Sequence, residues 1–340
     1  MSAPYLVVIP CLNEETHLPA LLQALQADPS ARGACIVVAD GGSTDGSADI
    51  VRAEAAQNPN LVLMHNAKRI QSAGTNMAVA AYGDDCPFFI RLDAHAHYPA
   101  GFLARLIDAY NTSTADSVTV AMRAVAAPDA FFQAAVATAQ NSVLGNGGSA
   151  HRAAGVRRWI DHGHHALFRT AMFRSVGGYD ESFTHNEDAE LDTRIVAAGG
   201  RILLAADIVM DYFPRATAWG LAKQYFNFGK GRAKTVMKHR TRPKLRQLAP
   251  VAVAPAALLA LLAPLTPLAA VPLALWLALC LAYGLVLGLR EGAPSAAFSG
   301  VAAALMHFAW SFGFWRQLLF SGGRAGTPAR SQPTSAPGKA

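Results

Sequence analysis

Short apolar runs separated by amphipathic stretches fill the first part of the chain. YLVVIP (5–10), ACIVVAD (34–40), NLVLMHN (60–66) and PFFIRLDA (87–94) are brief, rich in β-branched or aromatic residues and bounded by turn formers, which predicts buried strands. Between them HLPALLQALQAD (17–28) repeats leucine at helical spacing, and GSADIVRAEAAQ (46–57) and SAGTNMAVAAY (72–82) add further helices. Strand and helix in alternation make β-α-β units, so the pattern predicts an α/β fold with a doubly wound, mostly parallel sheet. From about 110 to 180 the pattern loosens: DSVTVAMRAV (116–125) predicts a strand, DAFFQAAVATAQNSV (129–143) a helix and GNGGSAHRAAG (145–155) a glycine-rich loop. EDAELDTRIVAAGG (187–200) follows as a helix with acids in its first turn and glycine at its end, and RILLAADIVMDYF (201–213) as strand.

The first, second and fourth of the early strands run straight into polar residues, in PCLNEE, DGGSTDGS and RLDAHAHYP. Ligands of open α/β sheets bind beyond the carboxyl ends of the strands, so these three turns are expected to share one crevice.

The end of the chain has another character. Residues 249–289 are mostly apolar, and a second apolar run covers 297–320. The first run is long enough for two spans of about 20 residues each, with a turn at Pro264–Pro267, which predicts three spans in all. An odd count would put Arg324, Arg330 and Lys339 outside, against the positive-inside rule, unless the first segment is interfacial or re-entrant. The excess within the 52% hydrophobic content is concentrated in this tail. Just before it, Lys230, Arg232, Lys234, Lys238, Arg240, Arg242, Lys244 and Arg246 form a stretch without acids, whose positive charge exceeds the chain's net charge of +6. Beside apolar spans, such a stretch suits the anionic face of a membrane rather than nucleic acid. Cys11, Cys35, Cys86 and Cys280 show no paired spacing, as expected in a reducing compartment. MSAPYLVVIP lacks a basic leader, so the first domain is expected in the cytoplasm, held at the inner membrane. The expected division is a catalytic domain (1–229), a basic juxtamembrane segment (230–248), membrane helices (249–321) and a disordered tail (322–340).

In chain order, VVIPCLNEE, VVADGGSTDGS, RLDAHAHYP, VGGYDESF and NEDAELDTRI resemble the motifs of family 2 glycosyltransferases of the GT-A fold. The likeness covers about residues 5–232 and is strongest to the membrane-bound branch that builds bacterial exopolysaccharides, including succinoglycan-type glucosyltransferases. It implies a GT-A sheet, mixed but mostly parallel, followed by transmembrane helices. It also implies inverting, metal-dependent transfer of a sugar, glucose by expectation, from a UDP-sugar to a saccharide on a polyprenyl diphosphate.

Carried onto this sequence, the resemblance puts the turn with Pro10, Asn13 and Glu14 at the nucleoside, although capping of the helix near Thr16 would also explain Asn13 and Glu14. It sets Asp40 against the uracil ring, while Asp45 reads as a cap for the next helix. Arg69 and Asn76 are implied near the nucleotide, with a solvated arginine as the plainer account of Arg69. Asp93 is the implied ligand of a divalent cation, Mn²⁺ or Mg²⁺. The family's common motif has a second aspartate two residues on, where this chain has His95; an O/N ligand set admits Mn²⁺ at least as well as Mg²⁺. His97 reads as exposed.

Asp188 is the implied general base, Glu187 orients the site, and Glu190 and Asp192 read as helix-surface or structural acids; alternatively all four merely favour a helix N-terminus. The histidines of DHGHHALFR (161–169) read as packing or acceptor contacts. Processive synthases carry Gln-x-x-Arg-Trp near Gln224, and here neither the Arg nor the Trp is in place. A processive synthase, a metal-dependent nucleotide-sugar hydrolase and a non-catalytic scaffold are the competing readings.

Overall fold

The computed structural model describes residues 5–149, 154–242 and 245–320. Its first half alternates as the pattern predicts: β1 (Leu6–Cys11), α1 (Leu18–Ala27), β2 (Cys35–Asp40), α2 (Ser47–Ala55), β3 (Leu61–His65), α3 (Gln71–Tyr82) and β4 (Phe88–Arg91). There follow α4 (Phe102–Asn111), β5 (Ser117–Ala124), α5 (Phe131–Asn141), α6 (Val143–Asn146), β6 (Arg158–Ile160), β7 (His164–Arg169), α7 (Thr170–Ser175), α8 (Glu187–Ala197) and β8 (Ile202–Tyr212). The sequence pattern predicts neither α4 nor the three-residue β6. Part of the expected glycine-rich loop, residues 150–153, lies outside the described residues.

All eight strands join one sheet in the order β3-β2-β1-β4-β7-β5-β8-β6. β1 pairs parallel with β2 and β4, and β2 with β3. β7 then enters antiparallel between β4 and β5. Both faces of the central strands are buried: Val7, Ile9, Val38 and Ile90 join one core, and Leu6, Val8, Val37 and Phe89 the other. Helical cover on both sides is why the strands read as unbroken apolar runs rather than alternating ones. Because β1, β2 and β4 run the same way, the turns after them open on one edge, and β7 brings His164 to that edge from the opposite direction.

The rest of the chain is helical: α9 (Ala218–His239), α10 (Leu245–Ala260), α11 (Val271–Glu291) and α12 (Pro294–Phe320). Two helices are long and apolar enough to cross a membrane, Pro267–Glu291 and Pro294–Phe320, so the expected three spans become two among the described residues. The first expected span fails because α10 has only 16 residues and holds Pro250 and Pro255, each of which removes a backbone donor. Along α11 most leucines are exposed, whereas α12 is largely buried against α9, α5 and α11. The expected division between residues 229 and 230 falls inside α9, which is unbroken there. The expected tail, 322–340, lies outside the described residues.

α9 and α12 meet backbone to backbone. A Cβ at Gly229 would collide with the Trp310 carbonyl, and one at Gly313 with that of Phe226. Gly229→Val is therefore expected to push the helices apart and destabilise the protein by about 1–3 kcal/mol. Thermal unfolding in detergent should show a lower midpoint together with faster proteolysis between the catalytic domain and the apolar helices. An unchanged midpoint would refute this close packing.

Candidate active site

The turns after β1 and β2 are laced together. Asn13 stands in the left-handed region at φ 58°. Its Oδ1 accepts the Thr44 N–H at 2.8 Å, its own N–H donates to Ser43 Oγ at 2.9 Å, and the Glu14 N–H donates to Ser47 Oγ at 2.8 Å. The Asp40 carboxylate is buried and accepts from the N–H groups of Gly42 (3.0 Å) and Ser43 (3.2 Å) and from Ser43 Oγ (2.5 Å). These bonds fix the turn and account for Asp40 structurally. Asp45 accepts from the Ser47 N–H at 3.0 Å and Ser47 Oγ at 2.6 Å, closing the turn just before α2, whose N-cap is Gly46 rather than the expected Asp45. Pro10 lies within β1, paired with Ala39.

Arg69 is exposed, with φ at 58°. Asn76 is fully engaged elsewhere: its Oδ1 accepts the Tyr179 N–H (2.8 Å), and its Nδ2 donates to the Tyr179 carbonyl (2.9 Å) and Glu181 Oε1 (3.0 Å). It thereby pins the VGGYDE turn to α3, and the active-site cavity is not lined by it.

That pinned turn delivers Tyr179 to the centre of the site. Arg91, at the end of β4 and 1% exposed, donates from Nη1 to Tyr179 Oη (2.5 Å) and, through Nη1 and Nη2, to the two oxygens of Asp188 (2.8 and 3.2 Å). Tyr179 Oη donates to Asp188 as well (2.8 Å). On its other side Arg91 lies 3.8 Å from Asp93. His164 bridges the same two acids, with Nε2 3.4 Å from Asp93 and Nδ1 3.7 Å from Asp188. Asp93 and Asp188, 95 residues apart in the chain, thus share Arg91 and His164 as partners.

The carboxyl groups respond differently. Burial alone would raise the Asp93 pKa, but the His164 hydrogen bond and the Arg91 charge outweigh it and hold the group well below the usual range. Glu187 has no hydrogen bond or ion pair from another side chain among the described residues, and burial followed by the Asp188 charge pushes its pKa up to about 7.

His95 accompanies Asp93 to the same edge but turns to Glu14, with Nδ1 to Oε1 at 2.8 Å, and this bond raises its pKa. Among the described residues no group of three or more His, Cys, Asp and Glu side chains is arranged to hold a metal ion. Asp93 and His95 nevertheless suit a cation that takes its remaining ligands from a substrate diphosphate, as Mg²⁺ and its like commonly do. The Glu14 contact leaves His95 Nε2 free and orients the ring, the usual second partner of a ligating histidine. His97 makes a backbone bridge to Asp211 and packs its ring on Phe213 at 5.3 Å, away from this chemistry.

The two further acids of α8 are buried. Asp192 bonds His162 (2.7 Å), and Glu190 meets Arg194, Lys238 and His239 at 2.6, 2.6 and 2.9 Å. Both are structural, and Glu190 ties α8 to α9. Sequence reasoning assigned no role at the acids to Arg91, Tyr179 or His164. β7, which pairs with β4 and at His164 itself with Val120 of β5, brings His164 there, and no local spacing signals it.

A cavity of about 1110 Å³ opens on Arg91, Asp93, His95, His164, Glu187 and Asp188 and extends to Gln224, Arg232, Pro250, Tyr283 and Trp310. It joins the acids at the sheet edge to the apolar helices.

The sheet order, the acids beyond β4 and at the start of α8, and this cavity define a sugar-transferring enzyme of the GT-A class. The chain belongs to glycosyl transferase family 2, whose family model matches residues 6–177. It is 50% identical to the succinoglycan biosynthesis protein ExoA of Rhizobium meliloti (strain 1021) over 318 residues, 94% of this chain and 96% of that one. A second relative is the dolichyl N-acetyl-alpha-D-glucosaminyl phosphate 3-beta-D-2,3-diacetamido-2,3-dideoxy-beta-D-glucuronosyltransferase of Methanococcus voltae, 24% identical over 238 residues, 68% of this chain and 74% of that protein. Among solved structures, mannosyltransferase PcManGT from Pyrobaculum calidifontis, in complex with GDP-Man and Mn²⁺, matches with a TM-score of 0.57 at 20% identity, over 93% of this chain and 87% of that one. At that identity the likeness speaks for the fold alone.

Removing the Arg91 cation leaves Asp188 without its bidentate partner. Arg91→Met is expected to lower stability by about 3–5 kcal/mol at neutral pH, the usual consequence of breaking a buried pair. Denaturant unfolding in detergent measures it, and a loss within experimental error would mean that Asp188 does not depend on Arg91.

Proposed function

We propose that this glycosyltransferase moves one sugar, glucose by expectation, from a UDP-sugar to a saccharide carried on a polyprenyl diphosphate, in exopolysaccharide biosynthesis at the cytoplasmic face of the inner membrane. One observation carries the reading: Asp93, Glu187 and Asp188 share the cavity that reaches the apolar helices. The similarity to a succinoglycan biosynthesis protein supports the pathway class, and the dolichyl-phosphate substrate in the archaeal relative's name supports a lipid-linked acceptor.

The donor nucleoside lies along the turns holding Pro10, Asn13, Glu14, Asp40 and Arg69, with its diphosphate toward Asp93. Asp93 and His95 would hold a divalent cation, as the Mn²⁺ bound to PcManGT encourages; when bound, that cation neutralises charge on the leaving diphosphate. Asp93, kept ionised by His164 and Arg91, stays competent for that task at neutral pH.

The acceptor hydroxyl must lose a proton as it attacks the anomeric carbon. Glu187 is the group poised to take it, being free of side-chain partners and raised to about 7, whereas Asp188 is held by Arg91 and Tyr179. This exchanges the roles that the resemblance implied, making Asp188 the positioning acid. A single base acting on a direct attack gives inversion. With neither Arg nor Trp placed after Gln224 as in the processive motif, addition of one sugar is favoured over polymerisation.

Transfer should be measured with labelled nucleotide sugars on lipid-linked and soluble acceptors; free sugar released without an acceptor product would identify a hydrolase instead. Because the base works deprotonated, kcat/KM is expected to climb as pH rises through about 7. Glu187→Gln should lower transfer by about 10²–10⁴-fold and flatten that limb, with UDP binding retained. A Glu187→Gln enzyme with the wild-type pH profile would return the proton to Asp188. His95→Ala is expected to weaken Mn²⁺ binding in the presence of UDP by about tenfold or more, read from the spin-resonance signal of free Mn²⁺. Equal affinity in the two proteins removes His95 from the ligand set.

A further inference from the structure

One face of α9 forms a wall of the cavity: Gly220, Lys223, Gln224, Asn227, Phe228 and Arg232 recur at spacings of three and four residues. Arg215, just before the helix, adds to the same wall. Arg215 and Lys223 make no hydrogen bond or ion pair among the described residues, unlike Lys234 and Lys238, which bond Ser182 and Glu190. Both lie close enough to His185 to lower its pKa, after burial and Lys230. Arg215, Lys223 and His185 all line the one cavity. Gln224 Oε1, the next residue on the wall, is a buried acceptor with no donor. A buried acceptor without a donor is costly, and a hydroxyl supplied by a ligand would remove that cost.

Two unpaired cations call for an anion with more than one charge, and the orphan carbonyl calls for a hydroxyl. The same wall continues to Pro250, Tyr283 and Trp310 on the apolar helices, so the ligand also has an apolar part. We infer that Arg215 and Lys223 bind the diphosphate of the acceptor's lipid carrier, and that Gln224 receives a hydroxyl of the sugar this diphosphate bears. The inference rests on the lipid-linked acceptor proposed above and adds the residues that select it. The donor's diphosphate is met separately, at Asp93 and His95.

The test is equilibrium binding to the full chain in neutral detergent, with farnesyl diphosphate, farnesol, inorganic diphosphate and UDP as probes. Wild-type protein should bind farnesyl diphosphate more tightly than either farnesol or inorganic diphosphate. Arg215→Gln with Lys223→Gln should weaken farnesyl diphosphate by about 10- to 100-fold while leaving UDP within about twofold. Arg215→Lys with Lys223→Arg should restore most of the affinity. Farnesyl diphosphate binding that survives the neutral pair overturns the site, and so does an equal loss for UDP, which would assign the cations to the donor. Both side chains are exposed, so the single variants carry the same comparison should the double one fold poorly. These measurements need no sugar transfer. A wild-type enzyme that binds farnesyl diphosphate as stated but glycosylates no lipid-linked acceptor sinks the proposed function and leaves the site standing. Transfer with an unchanged acceptor KM in the variants sinks the site alone.

Discussion

The site depends on one buried cation. Three carboxyl groups, of Asp93, Glu187 and Asp188, line one cavity, and like charges so close in a partly dry cavity repel strongly. The Arg91 guanidinium, carried into their midst on the end of β4, makes the arrangement tolerable by pairing with Asp188 in bidentate fashion and lying 3.8 Å from Asp93. A lysine would supply the charge but not the planar fork that meets both Asp188 oxygens and Tyr179 together. Tyr179 is itself held by Asn76, so the position of the acids is set as far away as α3.

The catalytic and apolar parts of the chain are likewise one construction. α9 closes the cavity on one side, and on another it is joined to α8 through Glu190, whose buried carboxylate meets Lys238, His239 and Arg194. Asn186, at the start of α8, donates to Thr235 of the same helix at 2.9 Å. Gly229 then lets α9 touch the backbone of α12. The basic stretch is therefore not uniformly available to a membrane. Lys234 and Lys238 turn inward to Ser182, Asp180 and Glu190, while Arg240 and Arg242 are exposed. A helix that both lines the active site and grips an apolar helix fixes the distance between them, which a flexible linker would not do.

The early strands and helices were legible because local forces decide them: each apolar run is buried on both faces, and each turn residue ends its own element. The acids at 93, 187 and 188 were legible as a set because they sit in motifs. What stayed hidden depends on contacts between distant segments. Nothing near Arg91 in sequence reveals that β7 and the Tyr179 turn will close around it, or which hydrogen bonds Asp40 and Asn76 make within the fold. The count of membrane-length helices was misread for a local reason: apolar composition registers in a hydropathy pattern, but the missing donors of Pro250 and Pro255 do not.

Two neighbouring motifs acquire opposite behaviour from one electrostatic field. Asp93 has a histidine and an arginine within reach and stays an anion, suited to a cation or to holding His164. Glu187 is buried beside the Asp188 charge, gains no side-chain partner among the described residues, and binds its proton more tightly. When environments push two carboxyl groups apart in this way, the low one serves as a fixed charge and the high one exchanges protons near neutrality. Asp188 links them: hydrogen-bonded to Arg91 and Tyr179, it raises Glu187 by its charge and anchors an arginine that lowers Asp93. The acidic pair at the head of α8 is therefore electrostatically coupled: the charge of one member, fixed by Arg91 and Tyr179, raises the proton affinity of the other.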